Sequence, residues 1–403
     1  MSQQTVLISG AGIAGPTLAF WLKATGFAPT LIERAPALRS GGYVIDFWGL
    51  GYDIAERMGL RRAIHDIGYH MRELRIVDDR GRRVAGFGTR VFDELTGGRF
   101  VTLGRSDLSR LLYEKIEGEI EILFDEEVID LQDEAEGARV RLQRAGERRF
   151  DLVIGADGLH SEIRRLAFGP QDQFERQLHY AVAAFEVRGY ERRDEDTYLI
   201  RSEPGHMLGR FALRDDRTLF LLVFATNGSS LPATLDRQKA LLGREYGGDR
   251  GEVPRVLELL EGIDELYFDR VSQIRMPRWS KGHVALAGDA AFCVSLMAGQ
   301  GSALAIAGAY VLAGELARAG GDCGVAFSRY ESLMRDYIER KQRAAEKFAV
   351  AFAPRTRWGL WVRNQVIKAF AIPGLSRLAV GRDIVDRLVL PDYRWPSLDA
   401  RTA

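Results

Sequence analysis

The sequence predicts an α/β fold: a sheet of buried parallel strands with crossover helices, an inserted and mainly antiparallel β-sheet, and a helical C-terminus. Three observations carry that expectation. Short apolar runs without polar alternation, at 6–8, 30–32, 150–155 and 284–287, read as strands buried on both faces. Between about 174 and 226 the pattern changes to four β-rich segments (180–187, 197–201, 209–214 and 218–225) with no crossover helix between them. From Gly301 the chain is helix-prone to Arg318 and again over 325–353, with charges on one face.

The stretch 5–34 justifies the first element in detail. An apolar strand runs straight into Gly10-Ala11-Gly12-Ile13-Ala14-Gly15, then into an apolar helix whose first turn tolerates Pro16. A second apolar strand follows and closes at Glu33, about twenty residues beyond Gly12, the spacing of a Rossmann-like dinucleotide-binding unit. Gly10 suits the tight turn, Gly12 the close approach of a pyrophosphate, and Gly15 the packing of helix on strand. The helix N-terminus favours phosphate by about 0.3–1 kcal/mol per charge. Glu33 suits ribose hydroxyls, since charge-assisted hydrogen bonds contribute about 1.5–3 kcal/mol. Its charge opposes an NADP 2′-phosphate at the same place, so the dinucleotide expected in this turn is FAD or NAD.

Composition narrows the function classes. At 403 residues the chain is long enough for two domains sharing a large core. Lys+Arg and Asp+Glu both number 56, and without a basic stripe nucleic acid is not expected as the main partner. Cys293 and Cys323 form neither a CxxC pair nor a disulfide framework, which suits a reducing cytoplasm. The six histidines show no HxH or HExxH spacing, so no metal is expected. The N-terminus lacks the basic region of a signal peptide, and no apolar stretch reaches the roughly 20 residues of a membrane span.

Between these landmarks, Gly41-Gly42 precedes an extended 43–47, 54–59 reads as a helix, and 74–78 with 82–87 form a hairpin around Asp79-Arg80-Gly81. A helix through Leu112 starts near Ser106 or Asp107 as N-cap. Strands follow at 120–124, 127–133 and 138–143, helices at 235–245 and 253–261, and a strand at 267–272 leads back toward the first domain. The amphipathic run 358–372 is read as a domain-bridging helix. The expected organisation is a discontinuous nucleotide-binding domain, 1–172 plus 268–340, and a substrate-binding sheet domain, 173–267 with part of 43–100. A helical segment, 341–403, is expected to bridge the two.

Three separated signatures then converge: Gly10 to Gly15 with Glu33-Arg34; the run from Asp151 to Arg164 containing Gly155-Ala156-Asp157-Gly158; and the run from Gly282 to Gly301 containing Gly288-Asp289-Ala290-Ala291 and Gly299-Gln300-Gly301. In order and spacing these resemble the class A, single-component FAD-dependent aromatic hydroxylases, the family of p-hydroxybenzoate hydroxylase with its GR2-type βαβ. The wording is most similar to the tetracycline-hydroxylating and small-heteroaromatic hydroxylases. The resemblance spans about 5–337. It implies FAD held by Gly10, Gly12, Ile13, Ala14, Gly15, Glu33 and Arg34, with Arg105 on the pyrophosphate or ribityl chain and the Val128 backbone on the adenine. Asp289 would accept from ribityl hydroxyls, and Gly299 and Gly301 would present amides to the isoalloxazine. Asp46 is carried over with less certain loop length, and Asp157 is expected to pair with Arg164 in shaping the nucleotide groove.

The chain departs from the family at Phe292-Cys293-Val294-Ser295-Leu296, where relatives have a histidine and a proline-containing turn. With no second GxGxxG, a nicotinamide cofactor, NADH or NADPH, is expected only as a transient co-substrate on the flavin domain. The implied reaction is hydroxylation of an aromatic or enolised ring by dioxygen through a flavin hydroperoxide, with no certain catalytic side chain. A small aromatic or polyketide-like substrate is implied, in secondary metabolism or antibiotic modification, for a monomer or weak homodimer. Candidate pocket walls are Tyr180, Phe185, Met207, Arg210, Phe211, Phe224 and Met297, with Arg210 as the anchor for an acidic or polyoxygenated substrate. A reductase or halogenase on the same scaffold, or an FAD-holding protein without turnover, are the competing readings.

Overall fold

The computed structural model describes residues 3–395 apart from 40, 89–95, 97, 229, 249, 371–387 and 394. Strand Thr5–Ser9, helix Ala14–Ala24 and strand Ala28–Glu33 form the expected opening. They join a six-stranded sheet in the order Ser280–Lys281, Val284–Leu286, Leu152–Gly155, Thr5–Ser9, Ala28–Glu33, Glu121–Phe124. All neighbours run parallel except the edge strand Ser280–Lys281. Pairing Ser9 with both Ile32 and Gly155, and Gly155 with Leu286, brings the ends of three distant motifs to one rim. That carboxyl rim is where open α/β sheets place their ligands.

The run 150–155 is two strands rather than one. Gly146–Phe150 closes an antiparallel meander with Val128–Glu134 and Gly137–Leu142, and Leu152–Gly155 enters the parallel sheet. Asp151 makes the switch, its carboxylate accepting from the Thr5 amide at 2.6 Å and the Thr5 hydroxyl at 2.8 Å.

The second sheet has seven strands, in the order Tyr267–Ile274, Glu175–Arg188, Arg217–Ala225, His206–Ala212, Thr197–Glu203, Glu73–Val77, Arg83–Gly88. It is antiparallel throughout except where Thr197–Glu203 runs beside Glu73–Val77. The early hairpin therefore completes one edge. Tyr267–Ile274, read as a return toward the first domain, is the opposite edge.

Strand alternation gives this sheet two different faces. Phe185, Leu208, Phe220 and Phe224 pack under helices Leu235–Tyr246 and Val253–Glu261. Tyr180, Met207 and Phe211 point the other way and cluster with Met297 or with Tyr43 of the first body. A two-stranded ribbon, Val44–Trp48 with Phe100–Gly104, completes the described strands.

Helix Gly301–Arg318 is buried along most of its length and packs on helices Ala14–Ala24 and Leu50–Arg57, so it is apolar on nearly every side. After the long helix Cys323–Phe352, helix Arg357–Phe370 lies along strand Arg83–Gly88 of the second sheet. The end of the expected 358–372 helix and much of the expected C-terminal helical segment lie outside the described residues. Tyr393 and Trp395 return to the first body, with Trp395 4.2 Å from Trp21 and Tyr393 5.2 Å from Tyr310 between ring centroids. Among the described residues no helix is long and apolar enough to cross a membrane.

Candidate active site

The glycines of the first turn differ in what compels them. Gly10 has φ +106°, and a Cβ there would sit 2.6 Å from the Ala156 carbonyl oxygen. A Cβ on Gly15 would collide with the Gly10 carbonyl, so close helix–strand packing explains it. At Gly12, among the described residues, the only atom within 4 Å of such a Cβ is Arg105 Nη2 at 3.9 Å. Its bare backbone is thus open toward Arg105 rather than filled by protein. Ile13 and Ala14 are buried where the helix begins.

Arg105 opens helix Arg105–Glu114, and its amide donates to the Tyr43 carbonyl at 3.1 Å. Its guanidinium makes no hydrogen bond or ion pair with any described residue. Burial opposes its charge, yet Tyr43, Asp289, Tyr267 and Glu33 together hold its pKa above the ordinary arginine value. Tyr43 in turn is pushed up to about 12, chiefly by burial.

Asp289 begins the short helix Asp289–Phe292 after Gly288, whose φ is +60°. Its carboxylate accepts no backbone amide among the described residues, so it does not cap this helix. Burial raises its pKa, opposed first by Arg105 and then by a hydrogen bond from the Cys293 thiol. Gly301 starts the next long helix, its would-be Cβ 3.9 Å from Asp289 Oδ1, and Gly299 is left-handed at φ +64° with open space beside it. Gly12, Arg105, Asp289, Gly299 and Gly301 therefore adjoin one bare region along the strand rim.

Glu33 lies at the far end of that rim. Its Oε2 accepts from the Ala11 amide at 2.9 Å and its Oε1 from the Ala35 amide at 3.0 Å, leaving each oxygen a second lone pair. Arg34 is exposed next to it. Val128 is buried close by, because the Asp125 and Glu126 amides donate to the Ala35 and Glu33 carbonyls.

Some expected partners do not meet. Asp157 does not pair with Arg164. It accepts instead from Ser161 Oγ at 2.5 Å and from the Glu162 and Ile163 amides at 2.8 and 3.1 Å, capping helix Glu162–Phe168. Free amides at that helix N-terminus take the carboxylate. Arg164 donates to the carbonyls of Ala290 and Leu159. Asp46 stands apart from the Arg105 group and is bonded to Thr102 and Tyr198.

The proposed pocket walls divide between the two faces of the second sheet. Tyr180, Met207, Phe211 and Met297 lie on the side of the bare region. Phe185, Phe224 and Arg210 are corrected to the helix-covered side, because they fall on the opposite phase of their strands. Arg210 pairs there with Asp194 and, at 3.0 Å, with Glu252, and its guanidinium lies 5.4 Å from the Tyr190 ring centroid. It is a structural ion-pair centre and does not reach the pocket.

In the departing segment, the Phe292 ring packs tilted against Trp279, with centroids 4.9 Å apart. Ser295 adopts φ +98°, which costs a non-glycine residue about 1–3 kcal/mol. The Met297 amide donating to Ser295 Oγ at 3.2 Å helps hold it. Tyr43 and Tyr267, whose rings lie 5.3 Å apart beside Arg105 and Asp289, were missed as site residues. Gly41-Gly42 is a local signal for Tyr43, whereas nothing local marks Tyr267.

The FAD binding domain family matches residues 3–347. A flavin-dependent monooxygenase of an unknown prokaryotic organism is 34% identical over 403 residues, covering 96% of this chain and 98% of the relative. The chain belongs to the FAD-dependent monooxygenase family. A Mycobacterium tuberculosis protein of uncharacterized name is 38% identical to this monooxygenase over 346 residues, covering 84% of the chain and 92% of the relative. The crystal structure of tetracycline destructase Tet(55) matches it with a TM-score of 0.82 and 29% identity, over 97% of this chain and 99% of that one. The bare region of the monooxygenase fits FAD: open backbone at Gly12, a guanidinium at Arg105 unpaired among the described residues, and a carboxylate at Asp289 that caps no helix.

Proposed function

We propose that this monooxygenase hydroxylates an aromatic or enolised ring, with NADH or NADPH as transient electron donor and dioxygen as the oxygen source, in the cytoplasm. FAD, when bound, supplies the redox and oxygen chemistry. The chain's own groups do the holding. Gly12 and the N-terminus of helix Ala14–Ala24, with Arg105, suit the pyrophosphate. Glu33 suits the ribose, the Val128 segment the adenine, Asp289 the ribityl hydroxyls, and the amides at Gly299 and Gly301 the ring edge. Tyr43, Tyr267, Phe211, Met207, Tyr180 and Met297 form an apolar wall that excludes water from the reacting ring. No side chain is assigned as a proton-transferring catalyst.

The observation carrying this reading is the part-buried guanidinium of Arg105, which has no partner among the described residues and adjoins Gly12 and Asp289. The test uses purified holoprotein and follows NADH and NADPH oxidation with a panel of phenols. Tetracycline belongs in the panel because Tet(55) is named a tetracycline destructase. Substrate-stimulated oxidation with a product one oxygen atom heavier supports the reading. Oxidation yielding only hydrogen peroxide counts against hydroxylation of that panel, and no oxidation at all favours a binding protein.

A further inference from the structure

Asp46 lies on the ribbon strand Val44–Trp48, opposite Thr102 in register. Its Oδ1 accepts from Thr102 Oγ1 at 2.7 Å and from the Tyr198 hydroxyl at 2.8 Å. Its Oδ2 accepts from no described residue, and no described Arg, Lys or His pairs with the carboxylate. Burial raises its pKa against those two hydrogen bonds. Asp46 is part-buried, and its Oδ2 is an open acceptor with no described cation beside it, available to a donor from outside the chain.

The neighbours show what that oxygen adjoins. The Tyr198 ring lies 4.9 Å from Phe211, and Phe211 clusters with Tyr43 and Tyr267, the tyrosines beside Arg105 and Asp289. Asp46 is thus joined through Tyr198 and Phe211 to the aromatic cluster that holds the tyrosines beside Arg105 and Asp289. Two arginines of this region do not serve an anion there. Arg214 is held by the carbonyls of Ile67 and Gly68, and Arg210 is on the opposite face.

We infer that Asp46 Oδ2 receives a hydroxyl, amine or ammonium donor from the substrate, so that the enzyme takes neutral or cationic rings and rejects rings bearing a carboxylate. This rests on the monooxygenase reading above and names the substrate class of the same site. Asp46 then acts as a binding residue for substrate rather than as part of the cofactor grip.

The test titrates the FAD-loaded full chain with tyramine, 4-ethylphenol and 4-hydroxybenzoate, which share one phenol ring and differ in charge, following perturbation of the flavin absorbance. The expected order is tyramine tightest and 4-hydroxybenzoate weakest, at least about tenfold below 4-ethylphenol. In Asp46→Asn, tyramine weakens by about tenfold and 4-hydroxybenzoate gains, while FAD content is kept. Tyr198→Phe leaves the carboxylate in place and keeps the order. Binding indifferent to charge, an unchanged order in Asp46→Asn, or a flavin spectrum that none of the three perturbs overturns the inference. Loss of FAD from Asp46→Asn also overturns it, by giving the carboxylate to the cofactor. A wild-type chain that takes up no FAD overturns the monooxygenase reading itself, so the two failures look different.

Discussion

The Arg164 guanidinium donates to the carbonyl oxygen of Ala290 at 2.9 Å, tying the second motif to the third. It is fully buried and also serves Leu159 at 2.6 Å and Gln171 Oε1 at 3.1 Å. Arg164→Met leaves two carbonyls without donors, at about 1–3 kcal/mol each. Chemical denaturation should show a loss of at least about 2 kcal/mol, and FAD affinity should fall with it because Ala290 adjoins Asp289. An unchanged midpoint contradicts the tie.

Arg210 provides the converse case. Arg210→Met leaves the nearly buried Glu252 without its cation, while Asp194 keeps Arg75 at 3.1 Å, for a loss of about 3 kcal/mol. Substrate binding should be unaffected in the protein that still folds. Weakened binding with unchanged stability would return Arg210 to the pocket.

How much was legible beforehand follows from the range of the interactions. The apolar runs, the glycine turn with Glu33, and Asp289 at a strand end are local signals, and each lies where its motif places it. Asp151 interrupts an otherwise apolar run, but its bond to Thr5 belongs to a distant strand. Alternation shows that Phe185 and Phe211 occupy faces, yet which face meets helices depends on packing between elements. The parallel pairing of Thr197–Glu203 with Glu73–Val77, and the meeting of Tyr43 with Tyr267, are likewise long-range. Asp157 has a helix N-cap, Ser161, four residues downstream, so the local cap prevailed over a pair with Arg164.

At the C-terminus, the Tyr393 hydroxyl donates to Glu315 Oε1 at 2.8 Å, and Glu315 is buried. Tyr393→Phe removes that donor, with a cost of about 1–3 kcal/mol. Trp395→Ala vacates the space against Trp21 and should cost about 3–5 kcal/mol. Urea denaturation of both variants checks this, and wild-type stability in either contradicts the packing of this segment.

His160 Nε2 lies 3.1 Å from Asp269 Oδ2, and that bond, against burial, holds the imidazole above its ordinary pKa. A histidine pKa raised on folding contributes stability that is complete below the unfolded value and lost as pH rises through the folded one. With the ring half exposed the effect is at most about 1 kcal/mol. The stability difference between wild type and His160→Gln should therefore be larger near about pH 5.5 than near about pH 8.5. A difference that is flat or grows with pH contradicts the assignment.

The most direct measurement is an equilibrium FAD titration of apoprotein carrying Arg105→Ala, beside the denaturation midpoint of the same apoprotein. Arg105 has no hydrogen-bond or ion-pair partner among the described residues, so the midpoint should hold while FAD affinity falls by about 10- to 100-fold. Wild-type FAD affinity in that variant would contradict the placement of the cofactor between Gly12 and Asp289.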